Sequence, residues 1–310
     1  MKEVFVTGAH GAIGSHVVKL LLEKGCIVGG LGNGPSQWAH ESAIDHWLPG
    51  PVTTEMLADL ADQMGEPDVI FHLAGGSSVG ASLADPMLDF HRTVESTMSI
   101  LEWIRASQYK TRIVYASSAA VYGENSNLDI VESAPINPKS PYGLHKRMAE
   151  QLITYWSEHA QIPAAIVRLF SVYGPGLHKQ LIYDLSKRLL DGGEQLEMFG
   201  SGDEQRDWLW IGDAAQFLVT AATHAMDPPL ILNGCTGRGT SVRNIAQTLK
   251  EISGQPCELK FAKGLRSGDP DNLVGSAKLS HAKKLIPSVG LEDGLKYTFD
   301  YISAERKAGK

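Results

Sequence analysis

Glu3-Val4-Phe5-Val6-Thr7-Gly8-Ala9-His10-Gly11-Ala12-Ile13-Gly14 decides the fold of this chain. Its first five residues are a β-branched, aromatic run that stops at Gly8, the pattern of a short buried strand. From Ser15 to Lys24, Val17, Val18, Leu20, Leu21 and Leu22 fall at helical spacing, and Gly25 supplies a stop. The three glycines therefore stand between a strand and a helix. There glycine allows a tight turn, lets backbone approach a pyrophosphate and lets the helix pack close to the strand, while the helix N-terminus favours the anion. The context predicts dinucleotide binding by Gly8, Gly11, Ala12, Ile13 and Gly14; a free-standing glycine triplet would predict only a flexible turn.

Working outward, strands are predicted at Cys26–Leu31, Asp68–Leu73, Arg112–Ala116 and Ala164–Phe170, with helices at Met87–Arg105 and Tyr142–His159. Strands alternating with helices of this length imply an α/β fold, a Rossmann-type doubly wound parallel sheet. After Phe170, Gly174-Pro175-Gly176, Gly192-Gly193 and Gly200-Ser201-Gly202 break the chain into shorter pieces. Residues 1–170 are expected to form the dinucleotide-binding domain, joined by about 206–228. Residues 171–310 are expected to form mainly a smaller α/β substrate-binding domain. There is no internal repeat and no low-complexity tract.

Composition narrows the partners. The 310 residues carry 28 basic and 35 acidic side chains, a net charge of −7. That argues against a nucleic-acid binder, whose affinity rests on clustered Lys and Arg. Small anions remain open, because a few basic residues in a pocket suffice. Cys26, Cys235 and Cys257 form no C-x-x-C pair and leave an odd thiol, which points to reduced cysteines in a cytoplasm. No apolar run approaches the ~18 residues of a membrane span, and no signal-type segment precedes the first strand.

Tyr142-Gly143-Leu144-His145-Lys146 opens a helix, and a spacing of four puts phenol and ammonium on one face. Tyrosine is a poor base at its ordinary pKa of ~10; bringing it to ~7 takes roughly 4 kcal/mol of differential stabilisation. A nearby Lys⁺ and a positively charged nicotinamide both act in that direction. Ser117-Ser118, after the preceding strand, supplies a hydroxyl. Alone, Tyr-x-x-x-Lys reads equally as a solvated helix start; the order glycine loop, serines, Tyr-x-x-x-Lys argues for chemistry.

Taken together, the segments Thr7 to Gly14, Phe71 to Ala74, Ser117 to Gly123, Ser140 to Lys146, Arg168 to Gly176, Gly200 to Trp208 and Arg266 to Pro270 resemble the extended short-chain dehydrogenases, the NAD-dependent epimerase/dehydratase family acting on nucleotide sugars. The resemblance runs from end to end. It implies Tyr142 as acid/base, Lys146 as its orienting partner and a ligand of the nicotinamide ribose, and Ser118 as the hydroxyl on the reacting sugar oxygen. It implies cofactor contacts at Gly32, Asn33, Leu73, Ala74, Gly75 and Phe170, and substrate contacts at Ser171, Phe199, Arg206, Arg266 and Asp269. Arginine forks suit a diphosphate, and a carboxylate accepts from ribose hydroxyls. Surface ion pairs are the bland alternative for the arginines, and core packing for Phe199. A homodimer through two helices of the sheet domain is implied by the resemblance only.

Departures from the pattern restrict the chemistry. Ala119 and Ala120 stand where dehydratases carry acids after the catalytic hydroxyl, so dehydration is disfavoured. Ser171 replaces a common asparagine, Gly50-Pro51-Val52 replaces a G-D-hydrophobic segment, and Thr93 to Thr97 replaces N-V-x-G-T. Gly32 stands where an acid would bond the adenosine ribose, a loss that often signals NADP. Yet between Lys24 and Arg92 there are nine acidic residues and no Lys or Arg. Asn33, Ser36 and His40 are the polar residues nearby. NAD is therefore expected, with NADP as the alternative. His10, His72, His145 and His178 make no metal-ligand spacing, and the six tryptophans read as packing residues rather than a sugar platform. The expected reaction is 4-epimerisation of a nucleotide sugar through a transient 4-ketose. The rivals are a 4-keto sugar nucleotide reductase that consumes NADH or NADPH, and a non-catalytic dinucleotide binder.

Overall fold

The computed structural model describes residues 1–35, 37–38, 42–124, 129–262 and 272–309. The strands are β1 (Glu3–Thr7), β2 (Ile27–Gly32), β3 (His46–Pro49), β4 (Val69–His72), β5 (Arg112–Ser118), β6 (Ala164–Leu169), β7 (Ser171–Tyr173), β8 (Gln195–Met198), β9 (Gln205–Trp210), β10 (Leu230–Gly234), β11 (Gly239–Ser241), β12 (Glu258–Phe261) and β13 (Asn272–Leu273). The helices are α1 (Ala12–Glu23), α2 (Thr54–Met64), α3 (Val79–Ala84), α4 (Pro86–Phe90), α5 (Ser96–Ser107), α6 (Pro141–Ala160), α7 (Gln180–Asp191), α8 (Ile211–Ala221), α9 (Val242–Ser253), α10 (Lys278–Ala282) and α11 (Leu291–Lys307). A π-helical turn, His91–Glu95, joins α4 to α5.

Among the described residues, seven parallel strands form the main sheet in the order β10-β6-β5-β4-β1-β2-β3. The two-residue period of each strand divides its side chains between two cores. Val4, Val6, Val69, Phe71, Val114 and Val167 pack with α1 and α8 on one face. Phe5, Ile70, Ile113, Tyr115 and Ile166 pack with α2, α5 and α6 on the other. Burial on both faces is why these strands read as near-continuous apolar runs. The chain runs outward from β1 to β3 and returns to β4 on the opposite side of β1. Loops leaving β1 and β4 thus part above the sheet, and that fork is where a doubly wound fold binds its ligand.

Strand ends differ from the sequence-based ranges by one or two residues, and β3 falls between the predicted strands at Cys26–Leu31 and Asp68–Leu73, where none was expected. It pairs parallel to β2, Gly29 with His46 through Gly32 with Pro49. Four residues ending in proline carry no alternation, and an edge strand tolerates that proline. The opposite edge, β10, comes from Leu230–Gly234, just past the 206–228 return. Beyond the sheet, β11, β9, β13 and β7 form a smaller sheet and β8 pairs with β12. Ile182, Leu185 and Leu189 of α7 pack there with Ile245 and Leu249 of α9 and Leu295 and Phe299 of α11.

His72 ties β1 and β4 to α5 on the second face of the main sheet. Its Nδ1 lies 2.8 Å from Thr7 Oγ1 and its Nε2 2.9 Å from Thr97 Oγ1. Complete burial lowers its pKa to about 3. The unfolded chain therefore binds a proton that the folded chain refuses, and stability is lost as pH falls from about 6.5 to about 3. Urea unfolding of the wild type is expected to weaken by up to ~1.4 kcal/mol per pH unit from this group across that window. His72→Asn should flatten that part of the slope; an unchanged slope would remove His72 as its source.

Candidate active site

Gly8 has φ 70°, and a Cβ there would lie 2.8 Å from the Ala74 nitrogen. A Cβ on Gly14 would lie 2.1 Å from the Gly8 oxygen. The first glycine thus makes the turn under the β4 loop, and the last lets α1 press onto it. Helix α1 starts at Gly11 with no capping side chain, so the amides of its first turn remain available to an anion. This cradle fits a dinucleotide pyrophosphate.

The cradle opens into a cleft of about 1650 Å³ above the C-terminal ends of the strands. Gly8, Gly11, Ala12, Ile13, Gly14, Gly32, Asn33, Leu73, Ala74, Gly75 and Phe170 line it from the sheet side. Ser118, Tyr142 and Lys146 line its centre, with Ser171, Phe199 and Arg206 toward the smaller sheet. One cavity thus gathers the site residues expected from the sequence, save Arg266 and Asp269, which with Ser36 and His40 lie outside the described residues. Phe199 is 69% exposed, so it is not a core residue. Arg206 sits on β9 beside the buried Asp207, whose carboxylate accepts from Thr236 and from the Gly237 amide.

Strand β5 ends at Ser118, and α6 is capped by Ser140 and begins at Pro141. Ser82 Oγ accepts from the Tyr142 amide at 3.0 Å, docking that helix start on α3. Burial raises the Tyr142 pKa, the nearby Ser118 hydroxyl opposes the rise, and Asp89 adds to it. Lys146 Nζ lies 6.0 Å from the Tyr142 ring centroid and donates to the Ala116 carbonyl at 2.9 Å. Burial lowers Lys146 to about 8, against the attraction of Asp89 and Glu150. The chain's own groups thus push the phenol up, not down. A bound oxidised nicotinamide would act against that rise.

Two features carried no sequence signal. Asp89 and His145 form a buried pair, Oδ2 to Nδ1 at 2.6 Å, which clamps α6 to α4 one residue before Lys146. Lys179, at the start of α7, reaches across the cleft to the Ser77 carbonyl at 2.7 Å. Both pairings span more than 50 residues, beyond the reach of local spacing. The tryptophans are mostly packed: Trp103 sits 6.1 Å from Phe5, and Trp38 packs on Trp47 at 4.9 Å and on His10 at 5.2 Å. Among the described residues no group of His, Cys, Asp and Glu could hold a metal ion.

The chain matches the NAD dependent epimerase/dehydratase family over residues 4–233. It is 31% identical over 97% of its length to an uncharacterized UDP-glucose epimerase of Bacillus subtilis, covering 98% of that protein. The solved UDP-glucose 4-epimerase of Thermotoga maritima, with UDP-glucose, superposes with a TM-score of 0.89 at 28% identity, covering 99% of this chain and 100% of that one. The UDP-glucuronic acid 4-epimerase of Bacillus cereus, with UDP-glucuronic acid and NAD, superposes with a TM-score of 0.87 at 27% identity, covering 98% and 99%. The protein belongs to the NAD-dependent epimerase/dehydratase family and is an enzyme of that family.

Beneath Ser117 and Ser118 lies a buried ion pair. Arg168 Nε and Nη2 donate to the two Glu150 carboxylate oxygens at 2.9 and 2.8 Å, and Ser117 Oγ donates to Glu150 at 2.6 Å. Arg168→Met is expected to cost about 3–5 kcal/mol, because Glu150 is left a buried charge without its main partner. Denaturant unfolding measures this, and replacing Glu150 by Leu in the same chain should recover much of the loss.

Proposed function

We propose that the protein is an NAD-dependent nucleotide-sugar 4-epimerase. The observation that carries the reading is the single cleft in which the glycine cradle, Ser118, Tyr142, Lys146 and Arg206 meet. The solved relatives that hold UDP-glucose and UDP-glucuronic acid support a uridine diphosphate sugar as substrate.

The glycine cradle holds the pyrophosphate of NAD, and Lys146 the nicotinamide ribose. The chemistry supplied by bound NAD is reversible hydride transfer at the sugar C4. Tyr142 Oη takes the proton of the 4-hydroxyl and returns it after the ketose has turned over. Ser118 Oγ steadies the same oxygen throughout. Lys146 stays protonated, favouring the phenolate, while its bond to the Ala116 carbonyl fixes its position. Arg206 and Arg266 hold the diphosphate, Phe199 lies along the base, Ser171 contacts the phosphate and Asp269 the nucleoside ribose. Ala119 and Ala120 offer no acid, so water is not expelled from the sugar.

Two wider expectations belong to the same reading. The protein pairs with a second copy through the sheet-domain helices, where Tyr155 of α6 is 54% exposed. It works in the cytoplasm, consistent with three buried free thiols and, among the described residues, no helix long and apolar enough to cross a membrane.

Tyr142→Phe should lower turnover by ~10²–10⁴ while NAD still binds. Near-normal turnover would displace Tyr142 from its role. Protein purified without added cofactor should carry nicotinamide released on denaturation, and should interconvert C4 epimers with no net change in reduced-cofactor absorbance. Stoichiometric oxidation of NADH or NADPH would instead mark a reductase. Calorimetry at one salt concentration should show NAD⁺ binding more tightly than NADP⁺, because no Lys or Arg stands between Lys24 and Arg92.

A further inference from the structure

Lys179 is a second partly buried ammonium in the cleft, and the mechanism makes no use of it. It belongs to the turn that opens α7, yet its Nζ crosses to the loop after β4 and donates to the Ser77 carbonyl at 2.7 Å. Two residues earlier on that loop, a Cβ built on Gly75 would lie 3.3 Å from Lys146 Nζ. Two residues of chain span at most about 7 Å. Lys179 therefore lines the same cleft as Lys146, near enough for its charge to be felt there. Arg206, assigned to the diphosphate, belongs to β9.

The ammonium is short of negative charge. Among the described residues no carboxylate lies within 4.0 Å of it. Its one hydrogen-bond partner is a neutral carbonyl, and burial lowers its pKa. A partly desolvated cation with no counter-ion is unfavourable unless an anion joins it. The turn that presents it is also strained: Gln180, a non-glycine residue, has φ 71°. Backbone held in that region persists where the fold over-determines it, commonly at ligand sites.

We propose that Lys179 recognises a carboxylate on the sugar ring, so that the preferred substrate is a nucleotide-linked uronate rather than a neutral hexose. This rests on the nucleotide-sugar reading above and names the substrate class of the same site. Ser77 and Ser78, which line the cleft beside Lys179, offer hydroxyls to the same group.

The test uses the NAD-loaded protein and calorimetry with UDP-glucuronate and UDP-glucose at one ionic strength. The wild type should bind the uronate about tenfold more tightly or better, the ratio one charge-assisted hydrogen bond supports. Lys179→Met should bring that ratio close to one, and Lys179→Arg should keep it. A ratio at or below one in the wild type, a ratio that survives Lys179→Met, or binding of neither sugar overturns the proposal. Product analysis by NMR separates it from the reading on which it rests. A C4 epimer formed from UDP-glucose without a uronate preference leaves the epimerase standing and removes the Lys179 assignment. A Lys179-dependent preference without any C4 product supports Lys179 and overturns the epimerase.

Discussion

The ion pair between Arg168 and Glu150 holds the site in place. Arg168 is 2% exposed and Glu150 fully buried, on β6 and α6 respectively. Two charges taken from water are tolerated only when nearly every donor and acceptor is met. Here the remaining guanidinium nitrogen donates to Tyr122 Oη and to the Glu132 carbonyl, both at 3.0 Å. Tyr122 in turn donates to Asn233 at 2.7 Å, reaching the edge strand β10. One network thus joins β5, β6, β10 and α6 directly below Ser118, Tyr142 and Lys146. The candidate catalytic groups are set by the placement of this pair, because α6 can neither slide nor rotate without breaking bonds to Glu150.

Above that network the cleft is an arrangement of charge in a dry space. Burial lowers the Lys146 pKa and raises that of Tyr142. Asp89 and Glu150 act against the first effect, and the Ser118 hydroxyl against the second. Asp89 is itself held by His145, so the residue beside the catalytic lysine anchors one of the carboxylates that keeps it charged. Lys179 opposes this from across the cleft and lowers Lys146 further. An anion placed on Lys179 would relieve that repulsion and raise the Lys146 pKa.

Local spacing carried the elements that obey local rules. Glu3 to Gly14 specified a strand, a turn and a helix, because glycine's freedom and apolar periodicity act over one or two turns of chain. Tyr142 and Lys146 were legible for the same reason: a spacing of four on a helix is a statement about one face. Further out the signal thinned. His46–Pro49 is a strand only because β2 offers an open edge, and Phe199 was ambiguous until its exposure showed it outside the core. Gly32 marked a missing acid, and the backbone shows that position packed against Gly8 and Trp47.

The sequence by itself determined the fold class and the family, because strand–helix alternation and short motifs are written in local spacing along the chain, and it named Ser118, Tyr142 and Lys146 as the candidate groups of the cleft. Only the tertiary structure decided which distant groups pair in that cleft and beneath it. Asp89 with His145, Ser77 with Lys179 and Glu150 with Arg168 are 56, 102 and 18 residues apart. Their pairing depends on how helices pack across a sheet, and burial, which sets the charge state of Lys146 and the need for a counter-ion at Lys179, is a property of the packed chain rather than of any segment within it.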